Sequence, residues 1–127
     1  MLPVFPRPVV MVVDDEKLVA DTLARILQMH RFQSHAFYSC EALLACTICP
    51  QLAILDVIVP GGMNGIDLAI ILRGVFPGCR ILLMSGAAET DHLLDAAKHQ
   101  GHHFEILAKP FHPRLLIDWM KLQTASA

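Results

Sequence analysis

Five residues stand out because each is a polar group set at the end of an apolar run: Asp14, Asp15, Asp56, Ser85 and Lys109. The acidic pair follows residues 9–13, Asp56 follows residues 52–55, Ser85 follows residues 80–84, and Lys109 follows residues 103–108. Three carboxylates brought together repel one another, so at neutral pH they partly protonate or bind a cation. Hard oxygen donors with room left for water and phosphate favour Mg2+. Such an ion neutralises charge on an incoming phosphoryl group and on an attacking carboxylate. A carboxylate nucleophile then forms an acyl phosphate. Ser85 can hydrogen-bond one phosphoryl oxygen and Lys109 can pair with another, and chemistry of this kind rests mainly on positioning and electrostatics.

Taken singly, each residue also has a plainer reading. An Asp-Asp pair after a strand can cap a helix, a lone Asp at a strand end can be a turn residue, and a lone Ser or Lys in a loop can be merely solvated. Their joint placement, at the ends of four different apolar runs, is what points to a site.

That placement requires elements to bring them together. Residues 9–13 form a β-branched run that reads as a buried strand, with further strands expected at 32–36, 52–55, 80–84 and 103–108. Helical patterns fill the intervals. The first spans residues 16–30, with Leu18, Thr22, Ile26 and Met29 near one face. The second runs from a Ser39 cap to about Thr47, where Pro50 stops it. The others run over 64–76, broken by Pro77 and Gly78, over 90–101 with Gly101 as a left-handed cap, and from His112-Pro113 to about Leu122. Five strands each followed by a helix predict an α/β fold, a doubly wound five-stranded parallel sheet with helices on both faces. In such folds the functional crevice lies beyond the carboxyl ends of the strands, where the five residues fall.

Composition agrees with this. Apolar residues make up 54% of the chain and charged residues only 17%, which suits strands covered on both faces. Ten basic against twelve acidic residues leave a net charge of −2, so no electrostatic footprint for direct nucleic-acid binding is present. No apolar stretch is long enough to span a membrane. Residues 1–8 hold three prolines and no cleavage pattern and read as a flexible leader, residues 9–123 as the domain, and residues 124–127 as a tail. A cytoplasmic location is expected, with Cys40, Cys46, Cys49 and Cys79 as reduced thiols. Cys46 and Cys49 form a C-x-x-C pair, but the two further ligands of a zinc site are missing. His99, His102 and His103 likewise read as solvated loop histidines.

The chain resembles the receiver domains of two-component response regulators. The resemblance rests on Val12-Val13-Asp14-Asp15-Glu16, Leu55-Asp56 through Pro60 and Gly65, Leu83-Met84-Ser85-Gly86 and Lys109-Pro110-Phe111, and covers about residues 8–122. It implies the flavodoxin-like strand order 2-1-3-4-5, with Asp56 as phosphoacceptor. Mg2+ would be held by Asp14, Asp15, Asp56 and the backbone carbonyl of Ile58. Ser85 and Lys109 would contact the phosphoryl group, Gly86 would leave space for it, and the Lys109–Pro110 bond would be cis. The phosphodonor would be a sensor histidine kinase or phosphotransfer protein, docking near the first helix and the loops of the site. No output domain is encoded in these residues, so a single-domain regulator, a relay intermediate or a receiver from a longer protein are all open.

Three departures accompany the resemblance. The loop after Asp56 is one residue longer between Pro60 and Gly65 than the commonest pattern. Ile106 stands where many receivers carry Tyr or Phe, which puts the usual aromatic readout in question, although Phe104 lies on the same face. Ile58 and Ala87, at positions that tune hydrolysis of the acyl phosphate, cannot orient water through their side chains, so a slowly self-hydrolysing phosphoform is expected. In the last helix, Leu115 and Trp119 flank the core stripe of Leu116, Ile117 and Met120; either this helix is simply more buried than usual, or the two would serve a partner or a homodimer through the fourth and fifth helices. Two other functions compete. A small Mg2+-dependent aspartyl-phosphate phosphohydrolase would normally need a second Asp where Ile58 stands, and a phosphorylation-independent pseudo-receiver would normally have lost an acidic residue or the lysine.

Overall fold

The computed structural model describes residues 6–86 and 90–125. Strands and helices alternate along the chain: β1 (Val9–Val13), α1 (Lys17–Met29), β2 (Gln33–Phe37), α2 (Cys40–Leu44), β3 (Leu52–Asp56), α3 (Gly65–Val75), β4 (Arg80–Ser85), α4 (Thr90–His99), β5 (Glu105–Ala108) and α5 (Pro113–Thr124). The strands form one sheet in the order β2-β1-β3-β4-β5, and every pairing is parallel. This is the doubly wound, flavodoxin-like arrangement, with the order reversing between β1 and β3.

Strand alternation divides the core in two. Val10 and Val12 of β1, Leu52 and Ile54 of β3, and Leu82 and Met84 of β4 pack with Leu23 and Leu27 of α1 and Leu116 and Met120 of α5. The intervening residues Met11, Val13, Ala53, Leu55, Ile81 and Leu83 face the other way, onto Leu43 of α2, Leu68 and Leu72 of α3, and Leu94 and Ala97 of α4. Because both faces of these strands are covered, their sequences are continuous apolar runs rather than alternating ones. The same parity extends to the polar residues at the strand ends. Asp14, Asp56 and Lys109 continue the positions that face α1 and α5, whereas Ser85 continues the positions that face α4.

Local signals fix the helix ends. The Ser39 side chain accepts from the Ala42 amide, Asn64 accepts from the Asp67 amide, and Pro113 opens α5, each relieving an amide without an intrahelical partner. Gly101 adopts φ +89° after α4, a conformation that suits glycine.

Four expectations need correction. In α1 the buried face is Ala20, Leu23, Ala24 and Leu27, while Leu18 and Met29 are 80% and 75% exposed. The two alanines let the helix approach the sheet closely, and that close face displaces the stripe of larger side chains. Helix α2 ends at Leu44, so Cys46 and Cys49 lie beyond it; all four cysteines are free. Helix α4 stops at His99. Strand β5 starts at Glu105, because His103 is engaged elsewhere: its carbonyl accepts from the Arg73 guanidinium at 2.6 Å, and Arg73 also lies over the Phe104 ring at 4.0 Å.

Candidate functional site

The carboxyl ends of β1, β3 and β5 bring the acidic residues and the lysine together. Asp14, Asp15 and Asp56 each offer a carboxylate oxygen, and these oxygens lie within 4.8 Å of one another. Among the described residues this is the one cluster of three or more His, Cys, Asp or Glu side chains suited to a metal ion. The Lys109 ammonium bridges two of them, at 2.8 Å from Asp14 Oδ2 and 3.1 Å from Asp56 Oδ2. Asp14 and Asp56 are buried, whereas Asp15 is exposed at the rim. Asp14 is held at three points: its amide donates to the Phe37 carbonyl at 3.1 Å, its Oδ1 accepts from the Glu16 amide at 3.0 Å, and its Oδ2 takes the lysine.

The electrostatics arise from this geometry. Burial raises the Asp56 carboxyl above the usual carboxylate range; hydrogen bonding and charge from Lys109 oppose the rise, Asp14 adds to it, and the Ile58 amide opposes it by donating a hydrogen bond. For Lys109 burial acts downward, but hydrogen bonds and charge from Asp14 and Asp56 outweigh it and leave the ammonium above the ordinary lysine value. The lysine is therefore a fixed positive charge, and beside Asp56 it favours the ionised carboxylate against the effect of burial.

Backbone close to Asp56 is tightly packed. A Cβ on Gly65 would stand 2.0 Å from the Asp56 carbonyl oxygen, so only glycine lets α3 begin against the end of β3. The Gly65 amide donates to the Val57 carbonyl and the Val57 amide to the Met84 carbonyl, both at 3.0 Å. The loop between carries Ile58, whose side chain is 40% exposed and apolar. On the other flank, Gly86 and the stem of Lys109 are neighbours: a Cβ there would sit 3.5 Å from Lys109 Cβ, in ordinary contact. The Lys109–Pro110 bond is cis, and the Lys109 amide donates to the Ser85 carbonyl at 2.8 Å.

Ser85 lies at the end of β4, but its hydroxyl pairs with that of Thr90 at the start of α4. Thr90 is buried and carries no signal of a role in the sequence; a Thr at a helix start reads as an ordinary cap, and only the fold shows that it meets Ser85. Glu41 is a second residue that sequence reasoning missed. Its Oε2 accepts from the Met63 amide in the loop after Asp56, at 3.3 Å. Ala87 lies outside the described residues. Ile106 is exposed, and Phe104 packs against the α3–α4 side of the core. Leu115 is exposed, but Trp119 is half-buried against the core and donates from Nε1 to the Glu105 carboxylate. The two are thus not one open apolar strip. His102 stacks on Phe104 rather than joining a histidine cluster.

Cavity size does not single out this site. A hollow of about 420 Å³ beside it is lined by Glu16, Val19, Gly86, Lys109 and Phe111. A larger one, about 630 Å³, opens at the other end of the strands against Pro8, Gln51 and Arg80. The convergent charges lie at the first.

The family model of the response regulator receiver domain matches residues 10–121. The chain belongs to that family. Solved receivers share its fold. A CheY-like receiver domain protein from Methanospirillum hungatei superposes with a TM-score of 0.82 at 21% identity, covering 95% of this chain and 99% of that one. The response regulator TrrA from Thermotoga maritima, solved in complex with Mg(2+)-BeF, gives 0.76 at 23% identity over 91% and 98% of the two chains. The receiver domain of NtrX from Brucella abortus gives 0.78 at 23% identity over 93% and 99%. At such identities the likeness is one of fold, and the roles of individual residues in this receiver rest on its own geometry. Among its described residues no helix is long and apolar enough to cross a membrane.

Proposed function

We propose that this receiver takes a phosphoryl group onto Asp56 from the phosphohistidine of a sensor histidine kinase or phosphotransfer protein. The observation that carries the reading is the convergence of three carboxylate oxygens within 4.8 Å on a lysine that bridges Asp14 and Asp56. Hard oxygen donors at the open end of a sheet fit Mg2+, and Asp14, Asp15, Asp56 and the Ile58 backbone carbonyl would hold it. When bound, the ion supplies positive charge against the phosphoryl oxygens. It is also pertinent that the related TrrA was solved with Mg(2+)-BeF.

In the transfer, an Asp56 carboxylate oxygen forms a bond to phosphorus while the phosphorus–nitrogen bond of the donor breaks. The electron pair leaves with the imidazole nitrogen, which takes a proton from solvent. Lys109 stays protonated throughout; it exchanges contact with carboxylates for contact with a phosphoryl oxygen, and the Ser85 hydroxyl turns from Thr90 to donate to another. The domain assists its own modification and turns over no separate substrate. Residues 9–123 form the receiver, which is proposed to act in the cytoplasm, and the α4–α5 side with Leu115 and Trp119 is proposed as its partner or dimer face.

The test is incubation with acetyl phosphate and Mg2+, read by intact mass. Wild type should gain one phosphoryl adduct that Asp56→Asn lacks and that chelation of Mg2+ prevents. A wild type that gains none refutes the reading.

A further inference from the structure

The loop that follows Asp56 is tied at both ends. Its start is fixed by the Val57 amide on Met84 and its finish by the Gly65 amide on Val57, with Asn64 capping α3. Between them lie Pro60, Gly61 and Gly62, and Gly61 adopts φ +88°. Two successive glycines raise the entropic cost of ordering this loop, so a contact that holds it carries weight.

Glu41 does so from α2. This helix is seated by Cys40 and Leu43, both buried in the core, and by its Ser39 cap. Its second residue therefore projects from a fixed base. The Glu41 carboxylate accepts the Met63 amide at 3.3 Å. It also lies flat against Gly62: a Cβ there would meet both carboxylate oxygens at 2.7 Å and the carboxyl carbon at 3.1 Å. Gly62 is thus the residue that makes room for the carboxylate, and Met63 is the residue that binds it. Both contacts follow from one placement of the Glu41 carboxylate and concern neighbouring positions of one loop.

We propose that Glu41 is a positioning residue for the metal site, clamping the 58–64 loop so that the Ile58 carbonyl is held toward Asp56. This rests on the reading of Asp14, Asp15, Asp56 and the Ile58 carbonyl as the Mg2+ ligands. The clamp acts through the hydrogen bond rather than through charge, since the carboxylate is exposed to solvent, where charge is screened.

The experiment compares wild type, Glu41→Ala, Glu41→Gln, Gly62→Ala and the Glu41→Ala/Gly62→Ala pair. Two readouts are needed: amide hydrogen exchange at Met63 without metal, and Mg2+ affinity by titration. Glu41→Ala should speed Met63 exchange and weaken Mg2+ binding by about 2- to 10-fold, the equivalent of one hydrogen bond, with the melting temperature nearly unchanged. Glu41→Gln, whose amide oxygen still accepts, should restore both. Gly62→Ala should resemble Glu41→Ala, because its methyl group displaces the carboxylate, and the pair should be no worse than either alone. Unchanged Met63 exchange in Glu41→Ala overturns the clamp. Faster exchange with unchanged Mg2+ affinity overturns its positioning role. If Glu41→Gln behaves like Glu41→Ala, charge is responsible and the inference also fails. A wild type that binds Mg2+ but takes no phosphoryl group refutes the proposed function and leaves these comparisons to decide the clamp; one that binds no Mg2+ overturns both.

Discussion

Replacing Lys109 with methionine keeps the stem and removes the ammonium, which isolates its charge. At 2.8 and 3.1 Å, each contact has a gross Coulomb attraction of about 5–6 kcal/mol at an effective dielectric constant near 20. Desolvation of the lysine and repulsion among the carboxylates offset much of that. Losing one partner of a buried pair costs roughly 3–5 kcal/mol in practice. Asp56 has an escape, since it can take up a proton instead of standing as an unpaired charge. Holding an ordinary carboxyl neutral costs about 4 kcal/mol at pH 7 and about 1.5 kcal/mol at pH 5, at 1.36 kcal/mol per pH unit. The expected loss for Lys109→Met is therefore about 3–4 kcal/mol at pH 7, shrinking toward about 1.5 kcal/mol at pH 5. Burial already raises Asp56, and the variant removes the Lys109 contacts that oppose the rise. A group raised in the folded state destabilises the fold progressively as pH climbs above its unfolded value. Urea unfolding followed by Trp119 fluorescence, at both pH values and with or without Mg2+, makes the measurement. Mg2+ should narrow the gap at pH 7 by returning positive charge to the cluster. A gap of equal size at pH 5 and pH 7, or one below about 1 kcal/mol at pH 7, would refute charge neutralisation as the role of Lys109.

Three other outcomes rest on packing and exposure. Gly65→Ala forces a methyl group into the Asp56 carbonyl, 2.0 Å from where it would stand; it should cost on the order of 3 kcal/mol or more in urea unfolding, and a neutral result would show that the start of α3 can move. Burial pushes the Cys40 and Cys79 thiols up to about 11, so at pH 8 iodoacetamide should label the exposed Cys49 first, with Cys40 and Cys79 reacting only after unfolding; peptide mapping that finds all four labelled alike would contradict it. Trp119→Ala should weaken partner binding or self-association measured by sedimentation if the α4–α5 face is an interface, and unchanged behaviour in both assays removes that assignment.

Much of this was legible in the residues, for a physical reason. Central parallel strands must be apolar on both faces, so the first polar residue after each marks where the sheet ends. Asp14, Asp56 and Ser85 are such residues, Lys109 follows the edge strand β5 in the same way, and strand parity even sorts the four: three toward α1 and α5, and Ser85 toward α4. What escaped depended on contacts between elements. The facing of α1 was misread because the alanines at 20 and 24 carry little hydrophobic weight yet decide how close a helix can lie. Thr90 has no local mark of its pairing with Ser85. The contact between Glu41 and Met63 joins residues 22 apart in sequence, and neither residue type announces it.

The order in which the site is encoded has a consequence for how the chain comes to be folded. Asp14, Asp15 and Asp56 all lie in the first half, and Lys109 follows Asp56 by 53 residues and Asp14 by 95. At synthesis rates of roughly 5–20 residues per second, the three carboxylates exist for several seconds before their lysine is made. If β1 and β3 pair in that interval, their ends set like charges side by side, which favours uptake of a proton or of a cation. The last strand therefore does more than complete an edge: it carries to the first-made part of the sheet the positive charge that relieves the repulsion there.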